Sequence, residues 1–161
     1  MTEKYLIISG YQGIGKSTIA GKDLCIDLES SFFHNETNWW DKYSCVAVDL
    51  ASQGYTVLVS CHNKVRETIW VSTALYQNIQ KAIIIPNPSL YEEWTNKLEQ
   101  RYLQTKKDKD FRAWQRTKYY FKEDIAEIMD NYAPIYTIDS MDYKLSDIIA
   151  KIRNEVGRSL T

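Results

Sequence analysis

Gly10-Tyr11-Gln12-Gly13-Ile14-Gly15-Lys16-Ser17-Thr18, entered through Tyr5-Leu6-Ile7-Ile8-Ser9, decides how this chain folds. The entering run is short, apolar and rich in isoleucine, so it reads as a buried strand. Ser17-Thr18-Ile19-Ala20 opens a helix. Strand, glycine loop, helix is the context that turns G-x-x-x-x-G-K-[ST] into a phosphate cradle. Backbone amides of Gly13 to Ser17 are expected to converge on the β-phosphate of a nucleoside triphosphate. They do so at a helix N-terminus, whose partial positive charge favours an anion. Gly10, Gln12, Gly13, Ile14, Gly15, Lys16, Ser17 and Thr18 are thus the expected triphosphate-binding residues. Lys16 is expected to reach the β- and γ-phosphates, and the Ser17 hydroxyl to hold Mg²⁺.

The rest of the 161-residue sequence bounds the class of molecule. A chain of this length suits one domain with a substantial core. Net charge is −1, which argues against a surface that binds nucleic acid through bulk electrostatics. No stretch has the apolar length to span a bilayer, and Met1-Thr2-Glu3-Lys4 is not a signal peptide, so a cytoplasmic location is expected. Cys25, Cys45 and Cys61 are odd in number and widely spaced, which fits reduced thiols better than a disulfide framework or a zinc site. His34 and His62 are isolated in the sequence and read as ordinary surface or loop residues.

Working outward from the loop, Asp23 to Asp27 reads as a second strand after a very short helix. Glu29 to Asn38 is polar and aromatic, with Asn38 as helix cap and Asp41 three residues on. Trp39, Tyr43, Val46 and Leu50 repeat at helical spacing up to Gly54. Tyr55–Ser60 is the third strand, Val65–Gln77 a helix and Ala82–Ile85 the fourth strand, stopped by Pro86 and Pro88. Ser89 with Glu92 has the form of a capping box ahead of the stripe Leu90, Trp94, Leu98, Tyr102. Lys106 to Asp110 breaks that helix. Phe111, Trp114, Phe121, Ile125 and Ile128 mark the next one, Ile135–Ile138 a fifth strand, and Leu145, Ile148, Ile149 and Ile152 a closing helix. Apolar strands alternating with amphipathic helices imply an α/β fold: a five-stranded parallel sheet covered by helices on both faces. There is no internal repeat and no linker.

Three clusters outside the loop carry candidate chemistry, because ligands of such sheets bind beyond the strands' carboxyl ends. The first is Asp27-Leu28-Glu29-Ser30-Ser31. Asp27 there can order Mg²⁺ through water or take a proton from an acceptor, or it can simply cap a turn with Ser30. The second is Ser60 to Arg66, in which Arg66 is placed to grip an anionic acceptor. The third is Arg101, Arg112 and Arg116, on helices joined by the charged stretch Gln104–Asp110. Arg112 and Arg116 share a helix face and repel unless an anion lies near. They form either a solvated basic face or a mobile lid over the polyphosphate, with few buried contacts of its own. Trp39–Trp40 and Phe32-Phe33 resemble base-stacking surfaces, with at most one of the two tryptophans free for a ligand.

Gly10–Thr18, Ile26–Ser31, Gly54–Ser60 and Ile85-Pro86-Asn87-Pro88-Ser89 leading to Arg101 and Arg112 together resemble the P-loop nucleotide kinases. That group includes nucleoside monophosphate kinases, guanylate kinases, gluconate-type kinases and small nucleotide kinases encoded by bacteriophages and prophages. Pro86, Pro88, Ser89 and Leu90 loosely match the proline-containing segment that opens the lid helix in these enzymes. The resemblance implies a single P-loop kinase domain over residues 1–161, with a helical lid at about 99–118 and an acceptor region at about 29–53. It implies ATP and Mg²⁺ as cofactors, and Lys16, Asp27, Arg66, Arg101 and Arg112 as catalytic residues. It further implies acceptor contacts from Asp27, Glu29, Ser30, Trp39 and Arg66, and a Ser17-bound Mg²⁺ reached by Asp27 through water. The partner is then a small-molecule acceptor, with no nucleic acid or membrane, and the protein a monomer or homodimer, in the host cytoplasm if phage-encoded. The chain departs from the family in its compact acceptor region and in Ser60, which ends the third strand where motor ATPases place an aspartate.

Three activities remain open on these residues. The first is transfer of the γ-phosphoryl group of ATP to a nucleoside monophosphate. The second is transfer to a nucleoside or a non-nucleotide hydroxyl, with Asp27 as general base. The third is a slow nucleotide-binding ATPase or regulator. A phosphate acceptor is already anionic and needs cations such as Arg66 and Arg101, whereas an alcohol needs the carboxylate.

Overall fold

A continuous apolar run is covered on both sides when it lies in mid-sheet, and β1 (Tyr5–Gly10) is buried at every residue from Leu6 onward. The computed structural model describes residues 5–74, 78–131 and 133–158. After β1 come α1 (Lys16–Ile19), β2 (Cys25–Asp27), α2 (Trp39–Ser52), β3 (Thr56–Ser60), α3 (Asn63–Thr73) and β4 (Ile79–Pro86). The chain continues through α4 (Tyr91–Thr105), α5 (Asp108–Met129), β5 (Ile135–Ile138) and α6 (Leu145–Arg158). The strands form one five-stranded sheet in the order β2-β3-β1-β4-β5, and every neighbouring pair is parallel. This is the sheet expected from the alternation of strands and helices.

Successive strand residues face opposite layers. Leu6, Ile8 and Leu58 pack with Trp94, Leu98, Phe121, Ile125, Ile149 and Ile152 from α4, α5 and α6. Ile7, Val57 and Val59 pack with Tyr43, Ala47, Val65 and Ile69 from α2 and α3. Each fully buried isoleucine or leucine contributes about 1.5–3 kcal/mol relative to an exposed one, so the strands are held in register by the two layers together.

Parallel pairing brings the carboxyl ends to one edge, with Gly10 opposite Ser60 and Ile84, and Pro86 opposite Ile138. Buried Tyr43 fastens that edge: its hydroxyl donates to the Leu28 carbonyl at 2.6 Å and accepts from the Ser60 amide at 2.9 Å. The end of β2, with Asp27, is thereby tied to the end of β3.

Several local expectations are corrected. The second strand starts at Cys25, because Asp23 and Leu24 take left-handed conformations (φ 50° and 61°) in a turn closed by the Gly21 amide on the Cys25 carbonyl. Asn38 precedes α2 but is itself left-handed and makes no side-chain cap bond. The capping box of Ser89 and Glu92 does not form. Instead the Asn87 side chain accepts from the Ser89 amide at 3.0 Å, and a 3-10 turn over Pro88–Leu90 runs into α4. Helix α3 begins at Asn63, capped by the His62 imidazole on the Lys64 amide, and its expected end at 75–77 lies outside the described residues. Strand β4 is longer than the expected Ala82–Ile85 at both ends, and Pro86 is its last residue.

The charged stretch before α5 is a tight corner, not an open polar connection. Helix α4 runs to Thr105, Lys106 turns left-handed, and α5 starts at Asp108. Asp110 is buried there, accepting from Arg101 at 3.0 Å and from the Thr105 hydroxyl. A carboxylate without a second helix to supply its donors would not be buried in this way.

Candidate active site

The phosphate loop is shaped by side chains that reach it from distant elements. Trp94 Nε1 of α4 donates to the Gln12 carbonyl at 2.8 Å, and the Tyr143 hydroxyl donates to the Ile14 carbonyl at 2.7 Å. The Gln12 amide nitrogen donates in turn to Thr117 Oγ1 and the Ala113 carbonyl of α5, and Tyr11 meets Thr117 at 3.1 Å. With its carbonyls drawn outward, the loop leaves the amides of Gly13, Gly15, Lys16 and Ser17 without a protein acceptor among the described residues. Unpaired amides around a concavity are what an anion requires.

Gly13 is needed on two counts. Its φ is +87°, and a Cβ there would lie 2.8 Å from Leu98 Cδ2 and 3.2 Å from Trp94 Nε1. We expect Gly13→Ala to cost about 1–3 kcal/mol of stability from strained backbone alone. It should also weaken triphosphate binding, because the loop can relax only by breaking the Trp94 bond to Gln12. Chemical denaturation and nucleotide titration of the same sample test both effects. Wild-type values in each would show the loop to be more plastic than its packing.

Lys16 is half-buried and folds back to donate to the Gly10 carbonyl at 2.9 Å. Burial lowers its pKa, against the opposing pull of Asp27, Cys61 and Glu29. Asp27 is held above the ordinary carboxylate value, mainly by burial, with Lys16 the strongest effect in the other direction. Both groups line one cavity at the mouth of the loop, where each offsets part of the other's burial.

Two cavities open at this edge, of about 510 and 410 Å³, and they meet at Gln12, Lys16, Ser60, His62 and Arg116. The smaller contains the loop from Gln12 to Ser17, the segment Asp27–Ser31, and Arg101, Lys109 and Arg112. The larger lies beyond Lys16, between α3 and α5, and holds Cys61, Asn63, Arg66, Asp124 and Glu127.

Nearly all the expected site residues gather here, but their partners change their meaning. Arg66 is buried, donating through Nε to the Cys61 carbonyl at 3.0 Å and pairing with Glu127, so its guanidinium is already occupied. Arg101 is likewise committed to Asp110. Arg116 is held by both oxygens of Asp124, at 2.9 and 2.6 Å, which supplies the anion that its spacing from Arg112 demanded. Arg112 is exposed, lines the smaller cavity and has no hydrogen-bond or ion-pair partner among the described residues.

Glu29 caps the turn at Ser30–Phe33 through the Ser31 amide and reaches Lys109 of α5 at 3.5 Å. Burial raises its pKa, but these two donors outweigh burial and leave it lowered. Ser30 lines the same cavity as Glu29. Trp39 lines neither cavity: it packs edge-on against Tyr43 and Trp40 and against both histidines. Phe33 packs on Tyr43, while Phe32 is 81% exposed.

Other residues of the site carried no signal of their own. His34 and His62, far apart in sequence, meet around Trp39 and both line the smaller cavity. Tyr143 stacks on Trp94 and accepts from Lys97 Nζ at 2.9 Å, and burial pushes its phenol up to about 12. Thr117, Asp124 and Glu127 sat unremarked in a helix read only for its apolar stripe and for Arg112 and Arg116. The three cysteines are free, and no cluster of three or more acidic, His or Cys side chains fit for a metal occurs among the described residues. No helix among the described residues is long and apolar enough to cross a membrane.

No family model matches the sequence, and no curated protein matches it. Among solved structures, the chain is similar to the shikimate kinase of Bacteroides thetaiotaomicron, known from a 1.7 Å crystal structure. Identity is 12%, the match covers 96% of this chain and 98% of that one, and the TM-score is 0.51. At that identity the likeness shows the fold: this chain has a P-loop kinase fold.

Proposed function

We propose that this protein transfers the γ-phosphoryl group of ATP to a hydroxyl group of a small acceptor. The reading rests on one observation. Beside a loop of unpaired amides, the carboxylate without a partner among the described residues is Asp27, while the cations suited to gripping an acceptor phosphate, Arg66 and Arg101, are already paired with Glu127 and Asp110. An alcohol must lose a proton as it attacks, and a carboxylate with a raised pKa is closer to the useful range for taking it.

We place the polyphosphate in the smaller cavity, beside the unpaired amides, and the acceptor in the larger one. Both open on Lys16, so the transferring group lies where they meet. Exposed Ser17 and half-buried Asp27 line the phosphate side and fit a Mg²⁺ ion, directly and through water. Two protein oxygens suffice for an ion that keeps most of its ligands as water and phosphate. Such an ion supplies charge neutralisation of the triphosphate when bound. Arg112 and Lys109, on the far wall of the same cavity, belong to a lid at about 99–118, made by the end of α4 and the start of α5. There they close over the phosphates and exclude water.

A nucleoside monophosphate acceptor is the second reading, favoured by the unpartnered Arg112 guanidinium. ADP release measured over matched sets of alcohols, nucleosides and nucleoside monophosphates separates the two. The proposal expects an alcohol or nucleoside to accelerate release. Stimulation by monophosphates alone would install the second reading, and acceptor-independent hydrolysis would favour an ATPase or regulator.

A further inference from the structure

We propose that the larger cavity selects an acceptor without net charge, a sugar, polyol or nucleoside rather than a phosphomonoester or a carboxylic acid. This rests on the phosphotransferase reading above and concerns the same site. The charged side chains lining the cavity are Lys16, Arg66, Arg116, Asp124 and Glu127. Lys16 belongs to the donor phosphates. The other four cancel, and they do so as contacts: Arg66 with Glu127, and Arg116 with both oxygens of Asp124.

The remaining titratable groups add no charge at neutral pH. Burial pushes the Cys61 thiol up to about 11, and burial with the nearby Arg116 and Arg66 lowers the His62 imidazole. Tyr11, at the cavity floor, is raised further by its own burial.

An anionic acceptor entering this cavity meets two carboxylates as well as two guanidiniums. It can reach a guanidinium only through spare N–H groups, close beside the carboxylate which that guanidinium already holds, or by displacing the carboxylate and leaving Glu127 or Asp124 unpaired beside a new negative charge. A neutral polyhydroxyl ligand faces no such exchange. It can donate to the spare carboxylate oxygens and accept from the spare guanidinium and Asn63 N–H groups while both ion pairs stay closed. A volume of about 510 Å³ is ample for a molecule the size of a monosaccharide or a nucleoside.

The direct test holds the donor site occupied by a non-hydrolysable ATP analogue with Mg²⁺ and titrates inorganic phosphate by calorimetry. Wild type should show no binding at low millimolar concentration. Glu127→Gln combined with Asp124→Asn keeps a hydrogen bond to each arginine while removing both charges, and should bind phosphate at least about tenfold more tightly. Single Glu127→Gln serves if the double variant does not fold. Phosphate binding by wild type as tight as by the variant would overturn the proposal, whatever the acceptor. Turnover provides the second arm. Ribose against ribose 5-phosphate, and a nucleoside against its monophosphate, should each favour the neutral member, and whichever pair is active separates sugars from nucleosides. Faster transfer to the anionic members overturns the charge selection while leaving the kinase reading intact. Failure of the ATP analogue to bind overturns both.

Discussion

Lys16→Met should lower phosphoryl transfer by about 10²–10³ while leaving the fold in place, the loss typical of one removed transition-state donor. The side chain sits half-buried at the junction of two cavities, and its ammonium is satisfied by a single carbonyl, that of Gly10 at 2.9 Å. A triphosphate offers a better partner than a neutral carbonyl, so the ammonium is poised to leave Gly10 when the phosphates arrive. Methionine keeps the aliphatic stem and forfeits one hydrogen bond, worth about 1 kcal/mol. Stability moves little for a second reason. Burial lowers the Lys16 pKa, so the charged form opposes folding below its ordinary value, and removing the charge relieves that burden. Single-turnover transfer and thermal denaturation on one preparation test both statements. A folded variant that transfers at the wild-type rate would show that the loop binds nucleotide without serving catalysis.

Asp27→Asn should lower turnover by about 10²–10⁴, the range for loss of a general base, and should lower ATP affinity much less. Its pH dependence carries the sharper prediction. In wild type, activity should rise as Asp27 ionises, with a midpoint above the ordinary carboxylate value because burial raises it. The asparagine variant should lack that acid limb. Stability must follow the opposite course. A carboxyl whose folded pKa is raised favours the folded state at pH below its unfolded value, and that advantage is lost as pH rises through the folded one. At neutral pH the variant should therefore be as stable as wild type or more so, though far less active. ATP affinity falling in step with turnover would reduce Asp27 to a holder of the donor's Mg²⁺, with no part as a base.

The loop and its helix were legible because their signals are local. A strand is recognised by a run of apolar residues, and a phosphate loop by glycines at fixed offsets from Lys16. Both are properties of neighbours along the chain. Local chemistry misled where a residue had competing uses. Asn38 and Ser89 have the composition of helix caps, yet Asn38 spends its conformation on a left-handed turn and the Ser89 amide is taken by Asn87. Asp110 reads as part of a solvated charge run, but packing of α4 on α5 buries it against Arg101 and Thr105.

By itself, then, the sequence determined the parallel sheet, the order of its elements and the edge on which a triphosphate can sit. Strand periodicity, helix periodicity and the Gly10–Thr18 spacing suffice for those. Only the tertiary structure decided which charges at that edge are free. Arg66 and Glu127 are 61 residues apart, and Tyr143 reaches the loop across 129 residues. Such contacts arise when helices settle on the two faces of the sheet, and no local pattern encodes which carboxylate will meet which guanidinium. That pairing turned an expected anion clamp into a charge-neutral wall and left Asp27 in one cavity with Lys16.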